Sequence, residues 1–533
     1  MGRADQRSEG RWSRIYPLLI GVYSVLHLAA SNPWEWLNVS ELVVPLATML
    51  VVTALAWLGA AALARDPDKR ALLAAIGVVA FAGYGSVFGM MGGAPWAAML
   101  SPGWMTLLAI FITGAYAVLF LVMSRRSFAP VSRFMGTMAA LLVVLALAQL
   151  AMARRRPPVP AAVTEALPVS TRNGSRPPIY LLILDKYTGS ASLKSYYGYD
   201  NSQMEQALRA RGFVLPRHPR ANYSYTRQAV ISLLNWSYLD SLADATGHHA
   251  TSLAPLFRLW ERNRAMAFLK GLGYEIVVLP NAYPPFRRSP QADRHLPPPD
   301  SLPAYFPISW RGTTLWAPLA GIGCAIVRCR RALTVLESAS LLDWKFDQLG
   351  ALAATTHPRF VLAHLPVPHE PFVYRADCQH APAFDVWAPP RGRRQAYLDQ
   401  ITCVNRKVLA TVDAILQASP TPPVILIQAD HGDANFPVEQ LPLTEADPVQ
   451  VRARLDVFAA YHVPGAPDTL FYDGMSPVNL LPRVFNQLFG TAFPRLPDRS
   501  YWVQERDPYN LLPVLDDLGA APPREGRSAL SAP

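Results

Sequence analysis

The feature that most constrains this chain is the uneven distribution of apolar residues along its 533 positions. Up to about Ala153 the sequence consists of long apolar runs, whereas charged residues and prolines become frequent beyond it. A helix needs roughly 20 apolar residues to cross the hydrocarbon layer of a membrane. Residues 1–153 are therefore predicted to form a transmembrane domain of five spans: Ile15–Ser31, Leu42–Ala64, Ala71–Gly92, Met105–Met123 and Phe134–Ala153.

Basic residues occur in alternate loops between the predicted spans. Lys or Arg residues precede the first span and lie in the second-to-third and fourth-to-fifth loops, whereas residues 32–41 and 93–103 contain none. Cytoplasmic loops carry the excess of Lys and Arg, so the N-terminus is expected to be cytoplasmic. Five crossings then put everything after Ala153 outside the cytoplasm, in a multi-pass membrane protein.

Beyond Ala153 the sequence alternates between short apolar runs and amphipathic segments. We interpret residues 154–177 as a linker, 178–519 as a folded domain and 520–533 as a disordered tail. The proline-rich stretch Pro280–Arg311 is interpreted as a surface insertion. Buried strands separated by helices indicate an α/β domain with a central, largely parallel sheet flanked by helices. The predicted strands are Pro178–Asp185, Tyr274–Pro280, Phe360–Leu365, Pro423–Ala429 and Val457–Val463.

Cysteine usage and charge indicate the compartment and exclude one class of partner. An even number of cysteines, all after the spans, indicates disulfides in an oxidising compartment. Local spacing favours Cys324–Cys329 and Cys378–Cys403, with free buried thiols as the alternative. The net charge of +11 is not gathered into a basic patch interleaved with aromatic residues, so the sequence does not indicate a nucleic-acid partner.

Chemically competent side chains stand at the ends of two predicted strands. Pro423–Ala429 leads directly into Asp430, His431 and Gly432, where the glycine is expected to let the backbone turn away. The first strand of the domain likewise ends in a carboxylate, Asp185. In open α/β sheets, ligands bind at the carboxyl ends of the strands. Oxygen and nitrogen ligands together suit Zn²⁺ or Mn²⁺, so one divalent cation is the expected cofactor.

A hydroxyl group is predicted at a helix N-terminus near these strand ends. Thr226 precedes Arg227–Leu234, a segment that can begin a helix, and helix N-termini favour anions. A metal ion beside this hydroxyl would lower its pKa and make it a nucleophile. The alternative role for Thr226 is a simple N-cap.

Several short motifs, taken in order, resemble a known family. They are LLILD, NYSYT, HLPVPHEPF, QADHG, YHVPG, SPVNLLPRVFNQLFGT and DRSYW. Over about Pro178–Trp502 this order resembles the alkaline phosphatase/sulfatase superfamily. More narrowly, it is similar to the membrane-anchored, sulfatase-like branch that includes lipoteichoic acid synthases and phosphoethanolamine transferases. A five-span anchor before an outward-facing catalytic domain is also typical of those enzymes.

The resemblance implies a metal site and a nucleophile. Asp185, Asp430 and His431 match metal ligands of the family, and Thr226 matches the threonine that contacts the metal and is transiently phosphorylated. Ser224 is the alternative nucleophile. The residues after Thr226 lack the Cys/Ser-x-Pro-x-Arg signature of sulfatases, so hydrolysis of sulfate esters is not expected.

Three histidines are candidates for substrate binding by the same resemblance. His369 resembles the histidine that contacts the phosphoryl group or assists the leaving group. His364 is a second candidate, with a core histidine as the alternative. His462 is a third, with a cap at a strand end as the alternative.

The expected function follows from these roles. The chain is expected to be a metal-dependent phosphotransferase at the outer face of the inner membrane, with a periplasmic catalytic domain. It would move a phosphoethanolamine or phosphoglycerol group from a membrane phospholipid, through a threonine intermediate, to a glycan, lipid or polymer acceptor. The alternatives are a sulfatase-like phosphatase or phosphodiesterase, and a non-catalytic lipid-binding membrane regulator.

Overall fold

The chain divides into two compact units in the computed structural model. The first contains Met1–Pro158 and Pro303–Leu336, and the second contains Val159–Leu302 and Glu337–Pro533. The predicted domain boundaries at 153, 177 and 519 stay predictions. Cys324, Cys329 and the predicted tail lie outside the described residues, as does nearly all of the predicted linker. The described residues are 14–32, 38–92, 102–154, 176–284, 286–298, 301–302, 304–316, 318–319, 338–382, 391–434 and 441–514.

Apolar helices make up most of the first unit. Of the described helical stretches, four are long and apolar enough to cross a membrane: Val39–Leu63, Pro67–Val87, Met105–Met123 and Ala129–Met152. The first apolar helix has only 16 residues, so the predicted count of five spans is not confirmed. The helices are α1 Tyr16–Ser31, α2 Val43–Leu63 (after a 3-10 turn, Val39–Leu42), α3 Pro67–Gly92, α4 Pro102–Met123 and α5 Ala129–Arg154.

Basic residues of the first unit gather at one end of its helices. Arg14, before α1, pairs with Asp68 at the start of α3 at 2.8 Å. Lys69 donates to the carbonyl of Ser124, after α4. The segments predicted to be cytoplasmic therefore meet at one end of the helices, and their orientation in a membrane stays a prediction.

A six-stranded sheet organises the second unit, in the order β3-β2-β4-β1-β5-β6. The first five strands run parallel, and β6 is antiparallel to β5. This arrangement confirms the predicted, mostly parallel α/β sheet. The strands are β1 Ile179–Leu184, β2 Glu275–Leu279, β3 Arg294–His295, β4 Arg359–Leu365, β5 Val424–Ala429 and β6 Ala459–His462.

The central strand explains where the polar residues emerge. β1 lies between β4 and β5, and all six of its side chains are buried. A parallel strand covered on both faces has an uninterrupted apolar sequence, as IYLLIL does. Leu184 is in register with Leu365 and Ala429. The residues that follow these three therefore emerge together at the carboxyl edge of the sheet.

Helices and a hairpin complete the two units. The helix α12, Tyr305–Gly312, belongs to the first unit, and its side chains Phe306 and Trp310 are buried. The stretch Pro280–Arg311, which we interpreted from the sequence as a surface insertion, is therefore partly buried. A disulfide joins Cys378 to Cys403. In the second unit the elements are α6 Ser190–Tyr197, α7 Ser202–Arg209, α8 Thr226–Asn235, α9 Asp240–Thr246, α10 Ala254–Glu261, α11 Arg264–Gly271, α13 Ala339–Ala351, α14 Gly392–Ala418, α15 Pro448–Leu455, α16 Leu480–Phe489, 3-10 turns at Asp468–Leu470 and Pro477–Asn479, β7 Ser500–Gln504 and β8 Asp507–Val514.

Candidate active site

Two carboxylates emerge side by side from the middle of the sheet. Asp185 follows β1 and Asp430 follows β5, and both are buried. Asp430 Oδ1 accepts hydrogen bonds from the backbone N–H groups of Lys186 at 3.2 Å and His431 at 2.7 Å. In contrast, Asp185 Oδ1 and Asp430 Oδ2 have no hydrogen-bond partner among the described residues. These two oxygens are therefore available to a ligand.

The electrostatics of this pair favour a cation. Burial and the Asp430 carboxylate raise the pKa of Asp185 well above its usual range. Burial opposes ionisation of Asp430 too, but His431 and His364 outweigh it and lower the pKa of Asp430. Like charges in one buried space cannot both ionise cheaply. A divalent cation would relieve the repulsion and occupy both oxygens.

His431 and Thr226 stand next to the two carboxylates. Thr226 Oγ1 lies 2.9 Å from His431 Nε2. The same nitrogen is 3.8 Å from Asp185 Oδ1 and 3.5 Å from Asp430 Oδ2. His431 Nδ1 donates to the Gly432 carbonyl at 3.0 Å, which leaves the lone pair on Nε2. Burial, followed by the Arg454 guanidinium, lowers the pKa of His431 to about 3. A neutral imidazole of this tautomer is the form that binds metals.

His364 approaches the carboxylates from β4. Its Nε2 lies 3.9 Å from Asp185 Oδ2 and 4.0 Å from Asp430 Oδ2, and these three residues form a buried group that could hold a metal ion. Asn281 Oδ1 accepts from the Tyr283 N–H at 3.0 Å, so the Asn281 amide nitrogen faces His364 Nδ1 as a donor. The ring hydrogen is therefore on Nε2, where it suits an oxygen acceptor better than a metal. We call Asp185, Thr226, His364, Asp430 and His431 the carboxylate cluster.

A second group, the paired network, lies beside this cluster and consists of the buried Lys186 and Asp433 and the half-buried Glu370 and Arg393. Lys186 Nζ donates to both oxygens of Glu370 at 3.1 and 3.2 Å. Arg393 donates to the two oxygens of Asp433, each at 2.8 Å, and to Glu370 at 3.1 Å. Burial opposes ionisation of Asp433, but Arg393 and Lys186 lower its pKa to about 2. Two cations and two anions therefore balance one another.

Lys186 joins the cluster to the network through an unusual backbone conformation. Its φ is +62°, a region that costs a residue with a side chain about 1–2 kcal/mol. This conformation directs its N–H to Asp430 and its ammonium group to Glu370. The sequence analysis did not single out Lys186, although it adjoins Asp185.

Gly432 allows a close approach rather than the turn expected from the sequence. Its φ is not in the left-handed region. A Cβ atom at this position would lie 2.0 Å from the Ala453 carbonyl oxygen and 2.8 Å from that of Asp456. The Gly432 N–H donates to the Arg454 carbonyl at 2.7 Å. The loop that carries Asp430 and His431 thus packs directly on the backbone at the end of α15.

Arg454 of α15 holds this loop against the segment that carries Thr226. Its Nε donates to the Ser224 carbonyl at 2.8 Å, and its Nη1 donates to the Gly432 carbonyl at 3.3 Å. The side chain is buried. The sequence analysis missed Arg454 because it did not predict α15.

Ser224 and Thr226 use their hydroxyl groups differently. Ser224 Oγ donates to the Val503 carbonyl at 3.2 Å and accepts from the Val503 N–H at 2.8 Å. Its hydroxyl therefore fastens the β7 strand. Thr226, at the first position of α8, faces His431 instead.

The remaining two histidines lie in different places. The His369 N–H donates to the Asp185 carbonyl at 3.1 Å, so its loop adjoins the end of β1, while its imidazole contacts Glu370. His462 lies opposite Ile425, near the start of β5, and its Nδ1 hydrogen-bonds the Gly212 carbonyl at 3.1 Å. At about 3.3 Å per strand residue, Asp430 is roughly 16 Å further along. The structure therefore does not bring His462 to the carboxylate cluster.

Comparisons with known proteins come from solved structures. No family model and no curated protein matches the chain. The C-terminal periplasmic domain of EptC from Escherichia coli is 13% identical, with a TM-score of 0.41, over 65% of this chain and 96% of that domain. The lipooligosaccharide phosphoethanolamine transferase A of Neisseria meningitidis, an integral membrane protein, is 14% identical, with a TM-score of 0.33, over 85% and 88%.

Sulfatases also occur among the similar structures. One, described as a sulfatase of Bacteroides fragilis, is 12% identical, with a TM-score of 0.38, over 63% of this chain and 83% of that chain. Phosphoethanolamine transferases and sulfatases are the enzymes that the sequence motifs resemble.

Proposed function

We propose that this protein is a metal-dependent phosphotransferase at the outer face of the inner membrane. It moves a phosphoethanolamine or phosphoglycerol group from a membrane phospholipid to a glycan, lipid or polymer acceptor. The observation that carries the proposal is the pair of buried carboxylate oxygens, without hydrogen-bond partners among the described residues, beside His431 Nε2 and the Thr226 hydroxyl. The four membrane-capable helices support a lipid donor, because they would keep the enzyme in the membrane that contains it.

The carboxylate cluster offers ligands for one Zn²⁺ or Mn²⁺ ion. Asp185, Asp430 and His431 supply oxygen and nitrogen donors, and Thr226 supplies a hydroxyl oxygen. Such an ion would neutralise phosphoryl oxygens and lower the pKa of the Thr226 hydroxyl. His364 Nε2–H, which lacks a hydrogen-bond partner among the described residues, would donate to a phosphoryl oxygen.

Transfer proceeds in two displacements at the Thr226 hydroxyl. In the first, the Thr226 hydroxyl loses its proton as Oγ1 bonds to the donor phosphorus, the bond from phosphorus to the diacylglycerol oxygen breaks, and that oxygen takes up a proton. The N–H groups at the start of α8 favour the anionic group held there. In the second, an acceptor hydroxyl loses its proton as its oxygen attacks the phosphorus of the headgroup phosphodiester on Thr226, the bond from phosphorus to Oγ1 breaks, and Oγ1 takes up a proton.

His369 is a candidate for hydrogen bonding to the substrate in these displacements. Burial, followed by the Lys186 ammonium group, lowers its pKa to about 4, with Glu370 opposing this shift. The imidazole is therefore neutral near pH 7 and can hydrogen-bond the acceptor hydroxyl or the leaving group.

A trapping experiment tests the nucleophile. Full-length protein in lipid nanodiscs is incubated with Mn²⁺ or Zn²⁺ and headgroup-labelled phospholipid, quenched in acid and digested for mass spectrometry. Label is expected on Thr226, and Thr226→Ala should abolish both label and turnover. Ser224→Ala is the matched control and should retain them. Full turnover by Thr226→Ala would contradict the assignment.

Products and metal content separate the alternatives. Transfer to an added glycan or lipid acceptor supports a phosphotransferase, whereas release of the free headgroup phosphate regardless of acceptor indicates a hydrolase. Purified protein without stoichiometric Zn²⁺ or Mn²⁺ and without turnover would instead indicate a non-catalytic regulator.

A further inference from the structure

Residues 304–316, which we call the docking segment, belong to the first unit although the sequence on either side of Pro303–Leu336 belongs to the second. The segment contains α12, whose Phe306 and Trp310 are 0% and 2% exposed. These two aromatic side chains share one apolar core with residues of α1, α2, the preceding 3-10 turn and α3. The core consists of Val25, Ala29, Leu42, Met49, Val78, Phe81, Phe306 and Trp310.

Two backbone hydrogen bonds attach the docking segment to α3. The Gly85 N–H, whose usual helical acceptor would be the Phe81 carbonyl, donates to the Thr313 carbonyl at 2.8 Å. The Phe81 carbonyl accepts a hydrogen bond from the Leu315 N–H, also at 2.8 Å. Backbone groups in a membrane must find partners within the protein. The segment therefore supplies partners to a membrane-capable helix as well as apolar side chains.

Glycine at position 85 makes this approach possible. A Cβ atom there would lie 2.8 Å from both Cα and O of Thr313. Gly83, two residues earlier on the same helix, has no atom within 4 Å of such a Cβ position. The contrast indicates a contact built specifically around residue 85.

The segment lies at the end of the helices opposite their basic residues. Its partners Ala29 and Leu42 flank the connection between α1 and α2, and Phe81 is in the second half of α3. Arg14 and Asp68 mark the other end. In the predicted topology the end that holds the docking segment faces outward.

Two large apolar side chains are exposed, one at the last residue of the segment and one shortly after it. Trp316 is 52% exposed and Leu319 is 48% exposed. Among the described residues, every other exposed large hydrophobic side chain lies within 15–152, except Val449 of the second unit. Tryptophan is enriched where hydrocarbon meets water, and the neighbouring Arg311 is exposed.

We infer that the docking segment is a membrane-interface element, seated on α1–α3, and that phospholipid covers its Trp316 and the nearby Leu319. Its partner is the bilayer of the membrane that holds the helices. The inference depends on the proposed membrane location but not on the proposed chemistry, so the two can fail separately.

Photo-crosslinking tests the lipid contact. Trp316, Leu319 or, as a matched control of equal exposure, Val449 is replaced by p-benzoylphenylalanine in the full-length protein. The variants are irradiated in nanodiscs of phosphatidylethanolamine and phosphatidylglycerol. Lipid-mass adducts are expected at 316 and 319 and absent at 449. A protein–protein crosslink at 316 in place of lipid, or no adduct at either position, would overturn the inference.

Hydrogen exchange tests the seating of the segment independently. Gly85→Ala is expected to speed amide exchange in peptides covering 304–316, whereas Gly83→Ala should leave it unchanged. Equal, slow exchange in both variants would contradict the proposed seating. If Gly85→Ala fails to assemble, the crosslinking variants still decide the lipid contact, because they leave α3 intact.

Discussion

The carboxylate cluster and the paired network lie side by side at one edge of the same sheet but are assembled on opposite principles. In the cluster, Asp185 Oδ1, His364 Nε2 and Asp430 Oδ2 are buried without hydrogen-bond partners among the described residues. In the network, Asp433 and Glu370 are each bonded to cationic side chains. Unpaired buried polar groups destabilise a fold. Their persistence beside a fully paired group indicates that the cluster is kept for a ligand, whereas the network holds the surrounding loops.

Removing one charge from the carboxylate cluster should have a larger effect than the other substitutions, and this effect should be on activity. Asp185→Asn is expected to lower transferase turnover on the order of 10³-fold, because a metal ligand beside the nucleophile is lost. The metal-free protein should become no less stable, since a buried charge facing Asp430 is removed. Turnover and urea unfolding in chelator measure the two effects. A clear loss of metal-free stability would place Asp185 with the paired network instead.

An Asp→Asn substitution in the paired network should instead lower the free energy of unfolding. Asp433→Asn leaves Arg393 and Lys186 with one carboxylate between them, and breaking such a buried pair costs about 3 kcal/mol. Urea unfolding measures the loss. Asp413→Asn is the control, because its pair with Arg211 is 41% and 27% exposed and is expected to cost at most about 1 kcal/mol. Equal losses of unfolding free energy in Asp433→Asn and Asp413→Asn would contradict a stabilising role of the paired network.

The paired network should also make the free energy of unfolding depend on pH, with stability lost as the pH falls. Asp433 has a pKa of about 2 in place of its usual 3.8. A lowered pKa contributes stability that is present above the unfolded value and is lost as the pH falls through the folded value. Between about pH 5 and pH 2, the wild type should lose about 2 kcal/mol more unfolding free energy than Asp433→Asn. Parallel pH profiles of the two proteins would rule out this linkage.

The smallest effect is expected at Ser224, whose hydroxyl is already paired. Ser224→Ala removes two hydrogen bonds to Val503 and should cost about 1–2 kcal/mol of unfolding free energy. Because its hydroxyl does not face the carboxylate cluster, turnover per folded molecule should stay within a few-fold of the wild type. A turnover loss as large as that of Thr226→Ala would reverse the assignment of the nucleophile.

The sequence was sufficient to predict the sheet and the meeting of Asp185 with Asp430. Uninterrupted apolar runs are typical of buried parallel strands, and parallel strands bring their carboxyl ends to one edge. The partners of Lys186 could not be predicted, because Glu370 is 184 residues away in the chain and no local pattern joins them.

The sequence also did not predict the direction of β6 or the packing of Phe306 and Trp310 against α1–α3. An apolar run predicts β6 but not that it is antiparallel, and this direction places His462 far from Asp430. Phe306 and Trp310 lie in a proline-rich stretch without helical periodicity over a long window, so their burial against α1–α3 left no signal. Both depend on contacts between distant parts of the chain.

The docking segment changes what a protease could release from the membrane. The polypeptide passes between the two units three times, at Pro158–Val159, Leu302–Pro303 and Leu336–Glu337. A single cut before β1 would sever the covalent link to α1–α5, but the second unit would still carry the docking segment, which contacts α1–α3 through its apolar core. Any fragment that starts at β1 and ends after β8 would also carry Phe306 and Trp310 into water, stripped of the helices that cover them. Release of the second unit as a soluble fragment would require excision of the docking segment as well.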